Sequence, residues 1–82
     1  MREEVTKPEH ATEYLEFWRV KEYPKTSKWE VVSKSGSNLG YIKWFARWRQ
    51  YCFFPYEGTV FNRECMRDIN VFIESQMNAR KK

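Results

Sequence analysis

The sequence predicts an α+β domain in which a three- or four-stranded antiparallel β-meander packs on one C-terminal α-helix. Short segments rich in aromatic and β-branched residues, separated by turn residues, run as far as Pro55. A single amphipathic segment follows Asn62. Laying the apolar stripe of one helix on one face of a sheet is the two-layer arrangement that this order allows. At 82 residues the chain can build one core, so residues 1–82 are predicted to form a single domain.

The start of the chain carries the weakest pattern. Residues 1–12 are polar and contain Pro8, so they are expected to form a flexible lead-in. Residues 11–23 are compatible with a strand or with one or two helical turns, and Phe17, Trp18 and Val20 favour the strand. Proline, threonine and serine at residues 24–27 then predict a turn.

Three clearer strands follow, because alternating β-branched and aromatic residues are bounded there by turn residues. Pro55, which has no backbone N–H, ends the last of them. The strands are predicted at residues 29–33, 39–45 and 49–54, with connections at 35–38 and 46–48.

Successive side chains of a strand point to opposite faces of the sheet. If Trp29 and Ile42 face the helix, Lys43 lies on the opposite face, which is called the open face below. Arg49 is left with two alternatives. Either it lies beyond the buried zone, or Cys52 and its alternating neighbours point inward instead.

The helix is predicted to begin after Asn62, whose side chain is a good N-cap. Apolar residues recur beyond it at helical spacing and form one stripe that would face the sheet. The stripe comprises Met66, Ile69, Phe72, Ile73 and Met77, and the outward positions are Arg63, Arg67, Asn70 and Glu74. Residues 79–82 are expected to be a flexible tail.

The sequence predicts no enzyme, cofactor or metal site. Cys52 and Cys65 have no CxxC spacing and no histidine pair, so we expect reduced core thiols. His10, the single histidine, is expected to be a solvent-exposed side chain of the lead-in. Glu64 and Asp68 suit the first turns of a solvated helix better than an acid–base pair.

Charge and hydropathy indicate a soluble cytoplasmic protein. No apolar segment approaches the roughly 18 residues that a membrane span needs, and the first residues lack the pattern of a secretory signal. Residues 17–49 contain eight lysines and arginines against two glutamates, a net charge of +6. An anion-binding surface is therefore expected in this middle segment.

The open face combines these cations with aromatic rings, and this combination favours nucleic-acid binding. Lysine and arginine neutralise phosphates, and exposed rings stack on bases. The predicted DNA- or RNA-binding residues are Lys34, Tyr41, Lys43, Phe45, Arg47, Trp48 and Arg49.

Two alternatives stay open for this set. In a structural alternative, Trp48 is a core ring, Arg49 pairs with Glu30 or Glu57, and the lysines only solvate the surface. In the other, the same face is a protein interface, either for another protein or for a second copy of the chain, because exposed Trp, Tyr and Arg are typical of such surfaces.

Two motifs, Leu39-Gly40-Tyr41-Ile42-Lys43-Trp44 and Trp48-Arg49-Gln50-Tyr51-Cys52-Phe53-Phe54-Pro55, carry a resemblance to known proteins. With the segment 59–62 and the helix containing Cys65, they resemble a family of small uncharacterised proteins common in phages and prophages. The resemblance runs from about Pro24 to Phe72. It implies a compact phage or prophage protein in the cytoplasm of a host cell, for which a protein partner would be a host or phage protein. It transfers no catalytic residue.

Overall fold

The computed structural model describes residues 7–80, which form one antiparallel sheet and one helix. The strands lie in the sheet in chain order, each paired with its predecessor, and all pairs are antiparallel. The predicted α+β meander with a C-terminal helix is thus confirmed, with five strands in place of three or four. The elements are β1 (His10–Ala11), β2 (Leu15–Glu22), β3 (Ser27–Ser33), β4 (Asn38–Phe45), β5 (Gln50–Pro55) and α1 (Arg63–Arg80).

The additional strand, β1, falls within the expected flexible lead-in. Its two residues pair with Glu16 and Phe17 of β2. The Thr12 hydroxyl oxygen accepts a hydrogen bond from the backbone N–H of Leu15 at 3.1 Å and donates one to Asp68 of the helix at 2.7 Å. These local and long-range bonds hold the segment from residue 9 to residue 12 against the sheet. Residues 1–6 of the expected lead-in lie outside the described residues.

The core lies between the sheet and α1. Phe72 of the helix stacks on Phe17 with ring centroids 4.3 Å apart and meets Trp29 edge-on at 5.1 Å. Aromatic pairs in these geometries add to the stabilisation that burial alone provides. The fully or nearly fully buried apolar side chains are Leu15, Phe17, Trp29, Val31, Ile42, Tyr51, Ile69 and Phe72.

The position of β5 decides the open question about Arg49. Tyr51 faces the core and Phe53 packs against it, whereas Cys52 and Phe54 lie opposite Lys43 and Tyr41 on the open face. Arg49 precedes β5 in the connecting turn. It therefore lies beyond the buried zone, as the first of the two alternatives stated.

Helix α1 begins as predicted, since the Asn62 side-chain oxygen accepts a hydrogen bond from the Cys65 backbone N–H at 2.9 Å. The predicted outward residues are all exposed. Met66 was wrongly assigned to the buried stripe. Its side chain is 56% exposed, because it lies where the helix passes the end of β5 and borders an open groove beside Phe53.

The end of the helix also differs from the expected flexible tail. Ala79 and Arg80 belong to α1. The Arg80 guanidinium lies 4.1 Å from the centre of the Trp44 ring and donates a hydrogen bond to the carbonyl oxygen of Lys25 at 2.9 Å. Residues 81 and 82 of the expected tail lie outside the described residues. Within residues 7–80, the single helix lacks the apolar character that crossing a membrane requires.

Candidate nucleic-acid interface

The open face of the sheet carries a continuous series of aromatic rings, called here the aromatic row. Tyr41 and Phe54, which pair across β4 and β5, stack nearly parallel with centroids 4.9 Å apart. Tyr56 lies 5.9 Å from Tyr41 at one end of the row. At the other end, the centroid of the Phe45 ring lies 6.2 Å from that of Phe54 and 5.1 Å from that of Trp48, which it meets edge-on. The pairing register of β4 with β5 therefore brings these rings together.

Most rings of the row already have partners. Tyr41 is stacked on Phe54, and the Lys28 ammonium lies 4.5 Å from the centre of the Tyr41 ring. Tyr41, Phe45 and Phe54 are half-buried. Trp48 differs, because 64% of it is exposed. The alternative that Trp48 is a core ring is therefore wrong, and its indole is the ring of the row that is most available to a ligand.

Cations collect at the end of the sheet where the β2–β3 and β4–β5 turns lie, which is called here the basic end. Lys21 and Lys43 each place an ammonium 5.8 Å from the centre of the Tyr23 ring. Arg47 and Arg49 are exposed on the β4–β5 turn, on either side of Trp48. The exposed indole therefore lies within the most basic part of the open face.

The β4–β5 turn has a defined backbone. Phe45 pairs with Gln50, and the Phe45 carbonyl oxygen accepts from the N–H groups of Trp48 at 3.1 Å and Arg49 at 2.9 Å. Arg49 has a φ of 57° and is the only non-glycine residue with positive φ in residues 7–80. This left-handed conformation is unfavourable for a residue with a Cβ. The turn therefore holds Arg49 in a strained conformation.

Lys34 does not join the other predicted site residues. It follows β3 at the end of the sheet remote from the basic end, six residues beyond Lys28. At about 3.3 Å per strand residue, the Cα atoms of Lys28 and Lys34 are about 20 Å apart. Alternation assigns a residue to a face but does not give its position along that face. Lys34 therefore lies outside the cluster that the structure assembles around Trp48.

Carboxylates lie on the open face outside the basic end, with Glu30 midway along β3 and Glu16 near the opposite end of β2. Glu30 accepts a hydrogen bond from the Tyr56 hydroxyl at 2.7 Å, and Glu16 accepts one from the Trp18 indole N–H at 3.1 Å. The hydrogen bond to Glu30, aided by burial and by the negative charge of the same carboxylate, raises the pKa of Tyr56 to about 12. Among residues 7–80, Arg49 forms no ion pair with Glu30 or Glu57.

The two cysteines and the histidine are the remaining side chains that the sequence analysis considered. Both cysteines are free thiols. Cys65 packs against the core as expected, but Cys52 lies on the open face opposite Lys43, where burial raises the pKa of its thiol. His10 is exposed, as predicted. No group of three or more metal-ligating side chains occurs in the described part of the chain.

Sequence reasoning missed Lys28 and Tyr23. Lys28 precedes Trp29, so extending the alternation of β3 by one residue would have placed it on the open face. Tyr23 lies in the β2–β3 turn, outside any alternating pattern, and only the folded structure brings it beside Lys43.

Comparison with known proteins gives one informative match. The "Uncharacterized 9.3 kDa protein" of Acholeplasma phage L2 is 42% identical over 74 residues, which cover 87% of this chain and 94% of the phage protein. No protein-family model and no solved structure matches the chain.

Proposed function

Because the chain belongs to the family of the uncharacterised 9.3 kDa protein of Acholeplasma phage L2, we propose that it is a phage or prophage binding module without enzymatic activity. Its proposed partner is DNA or RNA, bound at the basic end of the open face in the cytoplasm of the host cell. The membership agrees with the resemblance that the sequence indicated. The partner is inferred from the chemistry of the surface.

One observation carries the proposal: an exposed indole lies between two exposed arginines, with Lys43 on the adjoining strand. Proteins that hold nucleic acid without an enzymatic step commonly combine cations that track phosphates with rings that stack on bases. The basic end supplies both components within one turn and the strand beside it. Arginine also suits phosphate because its planar guanidinium can donate two hydrogen bonds to one group.

A protein partner is the second candidate function. Glu16 and Glu30 reduce the positive charge of the open face outside the basic end. Tyr56 and Trp48 are exposed, and both are residue types that often dominate protein interfaces. Salt separates the two candidates. Phosphate binding releases counterions and weakens steeply as salt rises, whereas an aromatic protein interface is far less sensitive.

The proposal is tested by fluorescence anisotropy with labelled DNA and RNA. If the basic end contacts about four phosphates, affinity should fall by about 50- to 150-fold between about 50 and 200 mM salt. Lys43→Glu and Arg47→Glu should each weaken binding. Arg67→Glu makes the same charge change on an exposed position of the helix, on the other side of the domain, and serves as the matched control.

Two results would contradict the proposal. One is the absence of binding to any of these nucleic acids at the lower salt concentration. The other is an Arg67→Glu variant that loses as much affinity as Arg47→Glu, because binding would then follow net charge and not the basic end.

A further inference from the structure

We infer that the basic end binds single-stranded nucleic acid, with the Trp48 indole stacked on one unpaired base and Arg47 and Arg49 contacting the phosphates beside it. The inference rests on the proposed function and specifies its ligand. It depends on three features: the exposure of Trp48, the charges next to it, and the shape of the sheet at this end.

One ring contact supports the indole on the side of the sheet. Phe45 meets Trp48 edge-on with the ring planes at 80°, and Phe45 in turn contacts Phe54 of the neighbouring strand. Trp48 is nevertheless 64% exposed. A ring that is supported on one side and open to solvent elsewhere can stack on a base at little cost in side-chain entropy. Stacking requires a base whose face is free, and a duplex buries those faces.

The charges next to the indole match a nucleotide chain. Arg47 and Arg49 are its immediate neighbours and are both exposed. The turn keeps Arg49 at a φ of 57°, a conformation that costs free energy in a residue with a Cβ. Short hairpin loops commonly contain one residue in this conformation, so the turn itself fixes the backbone of Arg49 where the chain enters β5. Positive charge on both sides of a stacking ring is suited to the phosphates that flank a stacked base.

The shape of the sheet disfavours a duplex. A two-stranded ribbon can enter the major groove of DNA only if it projects from the protein. Trp29 pairs with Ile42; β3 begins two residues before Trp29, and β4 ends three residues after Ile42. At the basic end, the start of β3 and the end of β4 therefore lie within about one residue, or about 3.3 Å, of each other along the strand direction. The β2–β3 turn lies beside the β4–β5 turn and prevents it from projecting as a free ribbon.

The experiment compares a labelled single strand of about 12 nucleotides, a length within the range that small binding domains cover, with a blunt duplex of the same sequence. Anisotropy titrations at low salt should show at least about 10-fold tighter binding of the single strand. Trp48→Ala should weaken single-strand binding by about 10- to 100-fold, and Trp48→Phe, which keeps an aromatic ring, should weaken it less.

Tyr14→Ala provides the matched control, because Tyr14 is also an exposed aromatic residue but lies in the β1–β2 connection. This variant should bind as the unaltered protein does. Trp48→Ala removes the edge-on contact with Phe45, so it should lower the melting temperature by a few degrees and keep the far-ultraviolet circular dichroism spectrum of the folded domain. A loss of affinity measured well below the melting temperature then reports on stacking.

The outcomes separate this inference from the proposed function. Equal affinity for single strand and duplex, with steep salt dependence, would overturn the single-strand inference and leave the proposed function standing. Preference for the single strand with no loss in Trp48→Ala would overturn the assignment of Trp48. No binding to either ligand would overturn both and favour the protein interface.

Discussion

Replacing Arg49 by glycine should make the domain more stable and, at the same time, a weaker ligand binder. Arg49 has a φ of 57°, and a residue with a Cβ pays about 1–2 kcal/mol to adopt this conformation, a cost that glycine does not bear. Glycine also gives the unfolded chain more freedom, which offsets about 0.4–1 kcal/mol of that gain. Arg49→Gly should therefore exceed Arg49→Ala in stability by about 1 kcal/mol.

Thermal unfolding of the two variants measures this difference directly. In a domain of this size about 1 kcal/mol corresponds to about 4–8 °C in melting temperature. Both variants lack the guanidinium, so both should lose the same nucleic-acid affinity, and the comparison separates backbone strain from binding. If Arg49→Ala is as stable as Arg49→Gly, the turn is not strained at this residue and the reasoning fails.

Three further predictions concern the sheet. Gly40→Ala should lower the free energy of unfolding by about 1–3 kcal/mol in urea titrations, because a Cβ there would lie 2.5 Å from the Phe54 carbonyl oxygen and 2.8 Å from the Pro55 Cα; unchanged stability would contradict that contact. Trp29→Ala should lower the free energy of unfolding by about 3–5 kcal/mol, and Trp44→Ala should lower it less because Trp44 is only half-buried. A larger loss for Trp44→Ala in the same titrations would contradict the burial of these two side chains. Glu30→Gln should lower the pKa of Tyr56 from about 12, as followed by an ultraviolet absorbance titration. Because the folded pKa is raised, the Tyr56–Glu30 hydrogen bond should stabilise the fold below about pH 10 and lose this effect as the pH rises towards 12; an alkaline stability profile identical in Tyr56→Phe would contradict this.

Much of the fold could be predicted because burial on one face leaves a period-two pattern in the sequence. The pattern around Trp29, Ile42 and Phe53 places three strands, and Asn62 marks the start of the helix. Strand β1 could not be found in this way. Two residues are too few to show a period, and the strand depends on the hydrogen bonds of Thr12 to the turn and to the helix.

The helix stripe shows a related limit. Helical spacing identifies which residues share a side of the helix, but it does not show how far the sheet extends beneath them. Ile69 and Phe72 lie over the sheet and are buried, whereas Met66 lies near its margin and is largely exposed.

The sequence predicted which face of the sheet the candidate site residues occupy, but not where on that face each of them lies. Alternation correctly placed Tyr41, Lys43 and Phe45 on the open face. It could not show that Tyr41 is covered by Phe54 and Lys28, because those contacts depend on the register between strands and on side-chain conformation. For the same reason the sequence grouped Lys34 with residues that lie at the other end of the sheet.

The short strand β1 has a consequence for how copies of the domain meet. It pairs with β2 only at Glu16 and Phe17, so that within residues 7–80 no strand pairs with residues 18–22 on the outer side of β2. Unpaired edges invite strand addition between molecules, and charged side chains such as Arg19 and Lys21 discourage it. Removing the first 12 residues would uncover the apolar half of β2, where such charges are fewer. The segment is therefore expected to protect the concentrated protein from aggregation as well as to stabilise the fold.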